Sequence, residues 1–201
     1  MKLYEWSPSL LDDFSQTEFF IRGTGISIGS FDGLHLGHRF LLNKLVDECK
    51  KSGLASGLIT FKRPLPALKH SDDYAGDICS LEERLKLIEE LGLDFAIVVD
   101  FNPDFASMKG IDFLNLLVQK FNMRLLAEGI DFRCGYKGAT DTQAIKYWSA
   151  QSGIKTLFVD PIYYTQADGS VERVSSSYIR QLIKKGYMTT ARELLAKSPL
   201  T

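Results

Sequence analysis

The chain predicts an α/β protein built on an open parallel sheet with helices on both faces. Short apolar runs of strand length alternate with longer patterns of helical period, the signature of consecutive βαβ units. Residues 29–38, rich in Gly, His and Asp, stand between the first such run and the first long helical pattern, where open parallel sheets bind ligands. The length, 201 residues, suits one such domain over 1–201.

In order along the chain, a short N-terminal segment is followed by a buried strand, Gly25 to Ile28, and a helix, Leu36 to Lys51, with Phe40, Leu41 and Leu45 at helical spacing. Leu54 to Phe61 is the next strand. Ser80 to Leu91 is a helix with marked ends, because Ser80 and Glu83 match the capping box and Gly92 suits a left-handed stop. Phe95 to Val99 is extended, Ile111 to Phe121 helical, Arg124 to Glu128 extended, Asp141 to Ser152 helical and Lys155 to Val159 extended. Two helices, Ser176 to Lys185 and Thr189 to Ala196, parted by Gly186, complete the pattern. Lys62 to Cys79 contains two prolines and few apolar residues; it exceeds the roughly 12–15 residues of ordinary connections and is expected to be a lid or docking loop.

Lys and Arg number 24 against 25 Asp and Glu, a formal net charge of −1. That balance gives no general attraction to nucleic acid or an anionic bilayer. Cys49, Cys79 and Cys134 are far apart with no CxxC, which argues against a disulfide framework or a four-ligand zinc site and for a reducing compartment. Glu5, Asp12, Asp13 and Glu18 interrupt the first apolar residues, and no apolar run approaches the roughly 18 residues of a membrane span. A cytoplasmic protein with no membrane and no nucleic-acid partner is expected.

Three segments carry chemistry. Gly29-Ser30-Phe31-Asp32-Gly33-Leu34-His35-Leu36-Gly37-His38 joins a strand to a helix N-terminus, whose free N–H groups and dipole favour a phosphate. His35 and His38 are three apart, on one face of a first helical turn, and Gly37 leaves space between them for a polyphosphate. Zinc is the weaker reading of this pair, since no third ligand stands nearby. Arg173-Val174-Ser175-Ser176-Ser177-Tyr178-Ile179-Arg180 opens a late helix; one serine serves as its cap, and Arg180 lies one turn from Ser177, a second anion site. Glu128 to Gly138 is a glycine-rich loop in which Asp131, Phe132, Arg133 and Tyr136 can meet a polar aromatic ligand. Neither a Walker A pattern nor G-x-G-x-x-G occurs, which disfavours a P-loop kinase and a standard dinucleotide fold.

On these residues the chain resembles the FMN adenylyltransferase module of bacterial FAD synthetase, the bifunctional riboflavin kinase and FMN adenylyltransferase. The family pattern G-x-F-D-G-x-H-x-G-H is matched at every fixed position by Gly29 to His38, D-F-R-F-G by Asp131 to Gly135 with Cys134 at the second phenylalanine, and S-S-x-x-I-R by Ser175 to Arg180. The resemblance implies a Rossmann-like sheet of the HxGH nucleotidyltransferase type, and transfer of AMP from ATP to the phosphate of FMN with Mg2+, giving FAD and pyrophosphate. By matched position His35, His38 and Arg180 would be catalytic; Gly29, Ser30, Phe31, Asp32, Gly37, Ser176 and Ser177 would bind nucleotide; Asp131, Phe132 and Arg133 would form the flavin and nucleotide loop. The metal ligands are not implied.

The family's F-x-P-H-P motif has no counterpart histidine in Phe61-Lys62-Arg63-Pro64-Leu65-Pro66, where Lys62 or Arg63 would supply the positive charge. The riboflavin kinase domain is expected to be missing, so a separate riboflavin kinase is the expected partner. Two alternatives remain at this point: a nucleotidyltransferase with another phosphorylated acceptor, and a non-catalytic flavin or nucleotide binder that partners a kinase.

Overall fold

The structure, a computed structural model, describes residues 1–7, 17–64 and 76–195. Six parallel strands form the central sheet in the order β1-β4-β3-β2-β5-β8. They are β1 Lys2–Glu5, β2 Thr24–Ile28, β3 Ala55–Phe61, β4 Phe95–Val99, β5 Met123–Gly129 and β8 Lys155–Val159. The helices are α1 Glu18–Arg22, α2 Leu36–Ser52, α3 Leu81–Glu89, α4 Pro103–Ser107, α5 Gly110–Phe121, α6 Thr142–Ser152, α7 Ser176–Lys184 and α8 Met188–Leu194. Two hairpins accompany them, β6 Arg133–Cys134 with β7 Thr140–Asp141, and β9 Tyr163–Thr165 with β10 Val171–Arg173.

The inner strands β2, β3 and β4 are buried along their whole length, as expected of parallel strands covered on both faces. On one face Ile26, Ile28, Ile59, Phe95, Ile97 and Val99 pack under Phe113, Leu114 and Leu117 of α5 and Ile145 and Trp148 of α6. On the other, Leu58, Ala96, Leu125 and Ala127 meet Leu41, Leu42, Leu45 and Cys49 of α2 and Ile88 of α3. A smaller cluster, Val174, Ile179, Leu182, Ala191, Leu194 and Leu195, joins α7 to α8. Gly25 and Gly57 keep these layers close: a Cβ on Gly25 would strike the Cys49 sulfur, and one on Gly57 would overlap the Phe95 ring.

From β2 the chain moves outward through β3 and β4, then returns to lay β5 and β8 on the opposite side of β2. The switch point therefore lies between β2 and β5. Their pairing ends at Ile26 with Leu126, whereas β2 stays with β3 as far as Ile28 and β5 stays with β8 as far as Gly129. The carboxyl ends of the two strands diverge and leave a crevice.

The expected strands and long helices are present, with ends displaced by one or two residues. Sequence pattern missed β1, α1, α4 and both hairpins. β1 is a short edge strand, Lys-Leu-Tyr-Glu, whose extended form is set by its register against β4 rather than by apolar content. The expected loop Lys62 to Cys79 lies partly outside the described residues, at 65–75, as do Leu65 and Pro66 of the second motif and Ala196 of the last expected helix. Gly57→Ala forces the Phe95 ring from its place, and a loss of about 1–3 kcal/mol in unfolding free energy is expected from urea titration.

Candidate active site

The turn leaving β2 is built from backbone conformations that side chains seldom adopt. Phe31 and Leu34 have φ of 48° and 43°, and Gly33 has φ of 77°. Left-handed L-residues cost roughly 1–2 kcal/mol each; here the Phe31 and Leu34 side chains are buried in the cluster beneath α2. Asp32, 1% exposed, fixes the turn. Its Oδ1 accepts from the amides of Ile78 (3.1 Å) and Cys79 (3.3 Å), and its Oδ2 is paired with Arg180 of α7. Arg180, 9% exposed, also donates from Nε to the Gly76 carbonyl at 2.8 Å. Ser176 Oγ donates to the Asp32 carbonyl at 2.9 Å. The starts of α2 and α7 are thus tied to the same turn.

The buried Arg84 of α3 clamps the neighbouring strand ends, donating to the carbonyls of Ser30 (2.6 Å) and Lys62 (3.2 Å). Its spacing carried a signal that the sequence reading passed over: with Leu81, Leu85 and Ile88 it completes the i, i+3, i+4, i+7 stripe of a core-facing helix.

His35 is the N-cap of α2 rather than a residue of its first turn, and its Nδ1 accepts from the His38 amide at 3.3 Å. The two rings nevertheless come together, stacked with centroids 3.6 Å apart and planes 19° apart. Phe31 meets His38 edge-on. A Cβ on Gly37 would press on the His35 ring at 3.2 Å, which is why glycine occupies that position. Burial, with the Arg173 charge second, lowers the His35 pKa to about 4. Burial, then His35 and Arg84, holds His38 well below the ordinary range. Both rings are neutral at pH 7. Because His35 Nδ1 accepts a hydrogen bond, its proton sits on Nε2, free to donate.

At the crevice, Glu128 of β5 occupies the gap where the β2–β5 ladder has ended. Its Oε1 accepts from the Ile28 amide at 2.6 Å, replacing the missing backbone acceptor. Glu128 is 2% exposed, and burial pushes its carboxyl pKa far up, with the Ile28 amide opposing only in part. That shift disfavours the carboxylate form, and with it the repulsion a charged group would exert on an anion above it.

Two cavities open beside this crevice, with Ile28, Gly29 and Phe132 in the walls of both. The first, about 270 Å³ and called the polar cavity for the groups it gathers, holds His35, His38, Glu128, Asp131, Asp160, Arg173 and Ser176 among apolar walls that include Phe31, Leu41, Val159 and Ile162. The second, about 230 Å³, is aromatic, lined by Phe61, Phe101, Phe105, Phe113 and Phe132 with Met108 and Cys134. Burial raises the Cys134 thiol to about 12, so it presents an uncharged sulfur to this cavity. Asp131 and Arg173 are paired at 2.6 Å in the wall of the polar cavity, and the contact holds the Asp131 carboxyl below its usual range.

Of the residues singled out in the sequence, Gly29, Phe31, His35, Gly37, His38, Asp131, Phe132 and Ser176 line the polar cavity, and Arg133 lines the aromatic one. Ser30, Asp32, Ser177 and Arg180 do not line either cavity. Ser30 and Asp32 are engaged in holding the turn, and Ser175 is the cap of α7. Lys62 faces Asp100 at 3.3 Å instead of a cavity. Of the phenylalanines of the aromatic cavity, the sequence marks Phe132 and Phe61, the latter at the head of the second motif; Phe101, Phe105 and Phe113 fall within residues 101–113 and resemble ordinary core residues in sequence. Glu128 and Arg173 stood inside the marked segments without being assigned a role.

The raised Glu128 pKa has a stability consequence. The unfolded carboxyl loses its proton near 4.5, whereas the native one keeps it, so this group's contribution becomes less favourable as pH rises above about 4.5. Glu128→Gln keeps an acceptor for the Ile28 amide without that proton. The variant is expected to melt higher than the parent at pH 8 and alike at pH 4.5, measured by calorimetry.

Comparison with known proteins agrees with this architecture. The FAD synthetase family model matches residues 19–178. The chain is 29% identical over 176 residues to a bifunctional riboflavin kinase/FMN adenylyltransferase of Buchnera aphidicola subsp. Schizaphis graminum, covering 87% of the chain and 55% of that protein. The corresponding Escherichia coli K12 protein is 31% identical over 174 residues, with 86% and 54% covered. The chain thus spans about half the length of these curated relatives. A crystal structure named as a macrolide-efflux protein from Streptococcus pneumoniae superposes with a TM-score of 0.78 at 21% identity, covering 98% of this chain and 60% of that one; it is a likeness of fold. With its divided sheet, its HxGH turn and the match over most of its length, the chain belongs to the FAD synthetase family.

Proposed function

We propose that this chain transfers AMP from ATP to the phosphate of FMN, forming FAD and pyrophosphate. The observation that carries the reading is the adjacency of the two cavities. The polar one, between the starts of α2 and α7, suits a triphosphate, and the aromatic one across Phe132 suits the ring system of a flavin acceptor.

In the reaction a terminal phosphate oxygen of FMN attacks the α-phosphorus of ATP, the bond to the bridging α–β oxygen breaks, and pyrophosphate leaves with that electron pair. The attacking phosphate is largely ionised at pH 7, so no side chain is needed as a base. The chain's task is alignment and stabilisation of charge on the transferring and leaving groups. His35 Nε2–H donates to a phosphate oxygen, and His38, stacked against it, contributes a second imidazole to the same wall. The α7 start, with Ser176, receives the phosphates from the other side, while Ser177 and Arg180 support that start. Asp131, Phe132 and Arg133 form the partition between nucleotide and flavin.

Mg2+ belongs to this reading as an ion carried in on the triphosphate. Among the described residues no group of three or more His, Cys, Asp or Glu is disposed to hold a metal, so phosphate oxygens and water would coordinate it. No described helix is long and apolar enough to cross a membrane; a cytoplasmic location and a riboflavin kinase as the source of FMN go with the same proposal.

Given ATP, Mg2+ and FMN, the protein is expected to form FAD and pyrophosphate, detected by chromatography. His38→Ala should lower turnover about a hundredfold or more, the scale for loss of one preorganised donor. AMP transfer to a different phosphate ester in place of FMN would identify another acceptor, and tight binding of FMN and ATP without product would make the protein a binder.

A further inference from the structure

Arg84 is fully buried on the core-facing stripe of α3, where an apolar side chain would pack without giving up hydration. Exchanging buried charge for apolar groups of like volume is commonly neutral or stabilising, so core filling does not account for an arginine here. Its acceptors do. Nη1 donates to the Ser30 carbonyl at 2.6 Å and to Thr60 Oγ1 at 3.3 Å, and Nη2 donates to the Lys62 carbonyl at 3.2 Å. Thr60 Oγ1 donates in turn to the same Ser30 carbonyl at 3.3 Å. One peptide oxygen thus takes two side-chain donors, one of them charged.

That peptide unit opens the turn after β2. It joins Ser30 to Phe31, whose φ of 48° is left-handed and is not held by local preference. In a planar trans peptide the C=O and N–H point in opposite directions. With the carbonyl drawn onto Arg84 and Thr60, the Phe31 N–H is turned away from them, and Phe31 stands in the wall of the polar cavity with Gly29, His35 and His38. The clamp lies close to these imidazoles, because the Arg84 charge is among the influences on the His38 ring. The helix that carries Arg84 is itself fixed to the turn, since Asp32 accepts from the Ile78 and Cys79 amides that lead into it.

We propose that Arg84 is a positioning residue for adenylyl transfer: by fixing the Ser30 carbonyl below the turn it aims the Phe31 amide into the polar cavity as a donor to the bound nucleotide, without touching the substrate itself. The inference deepens the adenylyl-transfer reading and rests on it. Two features separate this role from packing: the effect passes through a single peptide group, and it requires a donor, which an apolar side chain of the same length lacks.

The test joins steady-state FAD formation to nitrogen–proton correlation spectra of the 201-residue protein, recorded with and without ATP and Mg2+. In the parent the Phe31 amide signal is expected to move downfield when ATP is added. Arg84→Met should lower kcat/KM for ATP about a hundredfold, the scale for one preorganised donor, while KM for FMN stays within about threefold and the ATP response of Phe31 is lost. Arg84→Lys keeps a charged donor and should recover about tenfold of that loss. Thr60→Val removes the second donor to the same carbonyl and should lower kcat/KM for ATP about fivefold, the scale for one neutral hydrogen bond; it decides the matter if the Arg84 variants do not fold. A Phe31 amide indifferent to ATP in the parent overturns the inference. So does an Arg84→Met protein that keeps both kcat/KM for ATP and the Phe31 response, whatever its melting temperature. A parent that shows the Phe31 response but forms no FAD contradicts the adenylyl-transfer reading alone, and the Phe31 responses of the variants then decide on Arg84.

Discussion

The buried carboxylate of Asp32 is the constraint on which the site depends. Its oxygens join three parts of the chain: the turn after β2, the segment from Gly76 to Cys79, and α7 through Arg180. Breaking a buried pair by removing one partner typically costs about 3–5 kcal/mol, so the geometry of this junction is narrowly defined. The consequence is that two helix starts, formed from residues more than a hundred positions apart, stand in the wall of one cavity.

The division of the sheet explains why that cavity has a second one beside it. If β2 and β5 stayed paired to their ends, backbone would fill the crevice. They part after Ile26, and a side-chain carboxyl, Glu128, meets the amide left behind. A carboxyl whose charged form is disfavoured suits the position, because it satisfies a buried amide with little negative charge facing the cavity. Phe132, on the loop that continues β5, then forms the wall between polar and aromatic spaces.

Much of this was legible in the sequence because the informative residues were local. The capping box at Ser80 and Glu83, the left-handed stop at Gly92 and the alternation of apolar runs each depend on a few neighbouring positions. The Gly29 to His38 segment marked the site for the same reason. What sequence could not show was partnership at a distance. Asp32 and Arg180 both read as ligand-facing when taken from their motifs, yet they face each other. Phe101, Phe105 and Phe113 are apolar residues of one unremarkable stretch, and only the fold brings them to one cavity with Phe61 and Phe132. Arg84 shows the same limit in reverse, since its buried role as a clamp on Ser30 and Lys62 comes from strand ends it meets through tertiary packing.

The left-handed residues Phe31 and Leu34 also bear on the order in which the chain acquires structure. An isolated segment has no reason to hold two such conformations, and the contacts that fix Asp32 between them arrive from 46 positions away at Ile78 and 148 away at Arg180. Contacts this distant form after local helices because the intervening chain must first be closed. The turn after β2 is therefore a late product of folding. A growing chain emerging from the ribosome carries the complete HxGH sequence long before it carries the shape, which waits until α7 has been made.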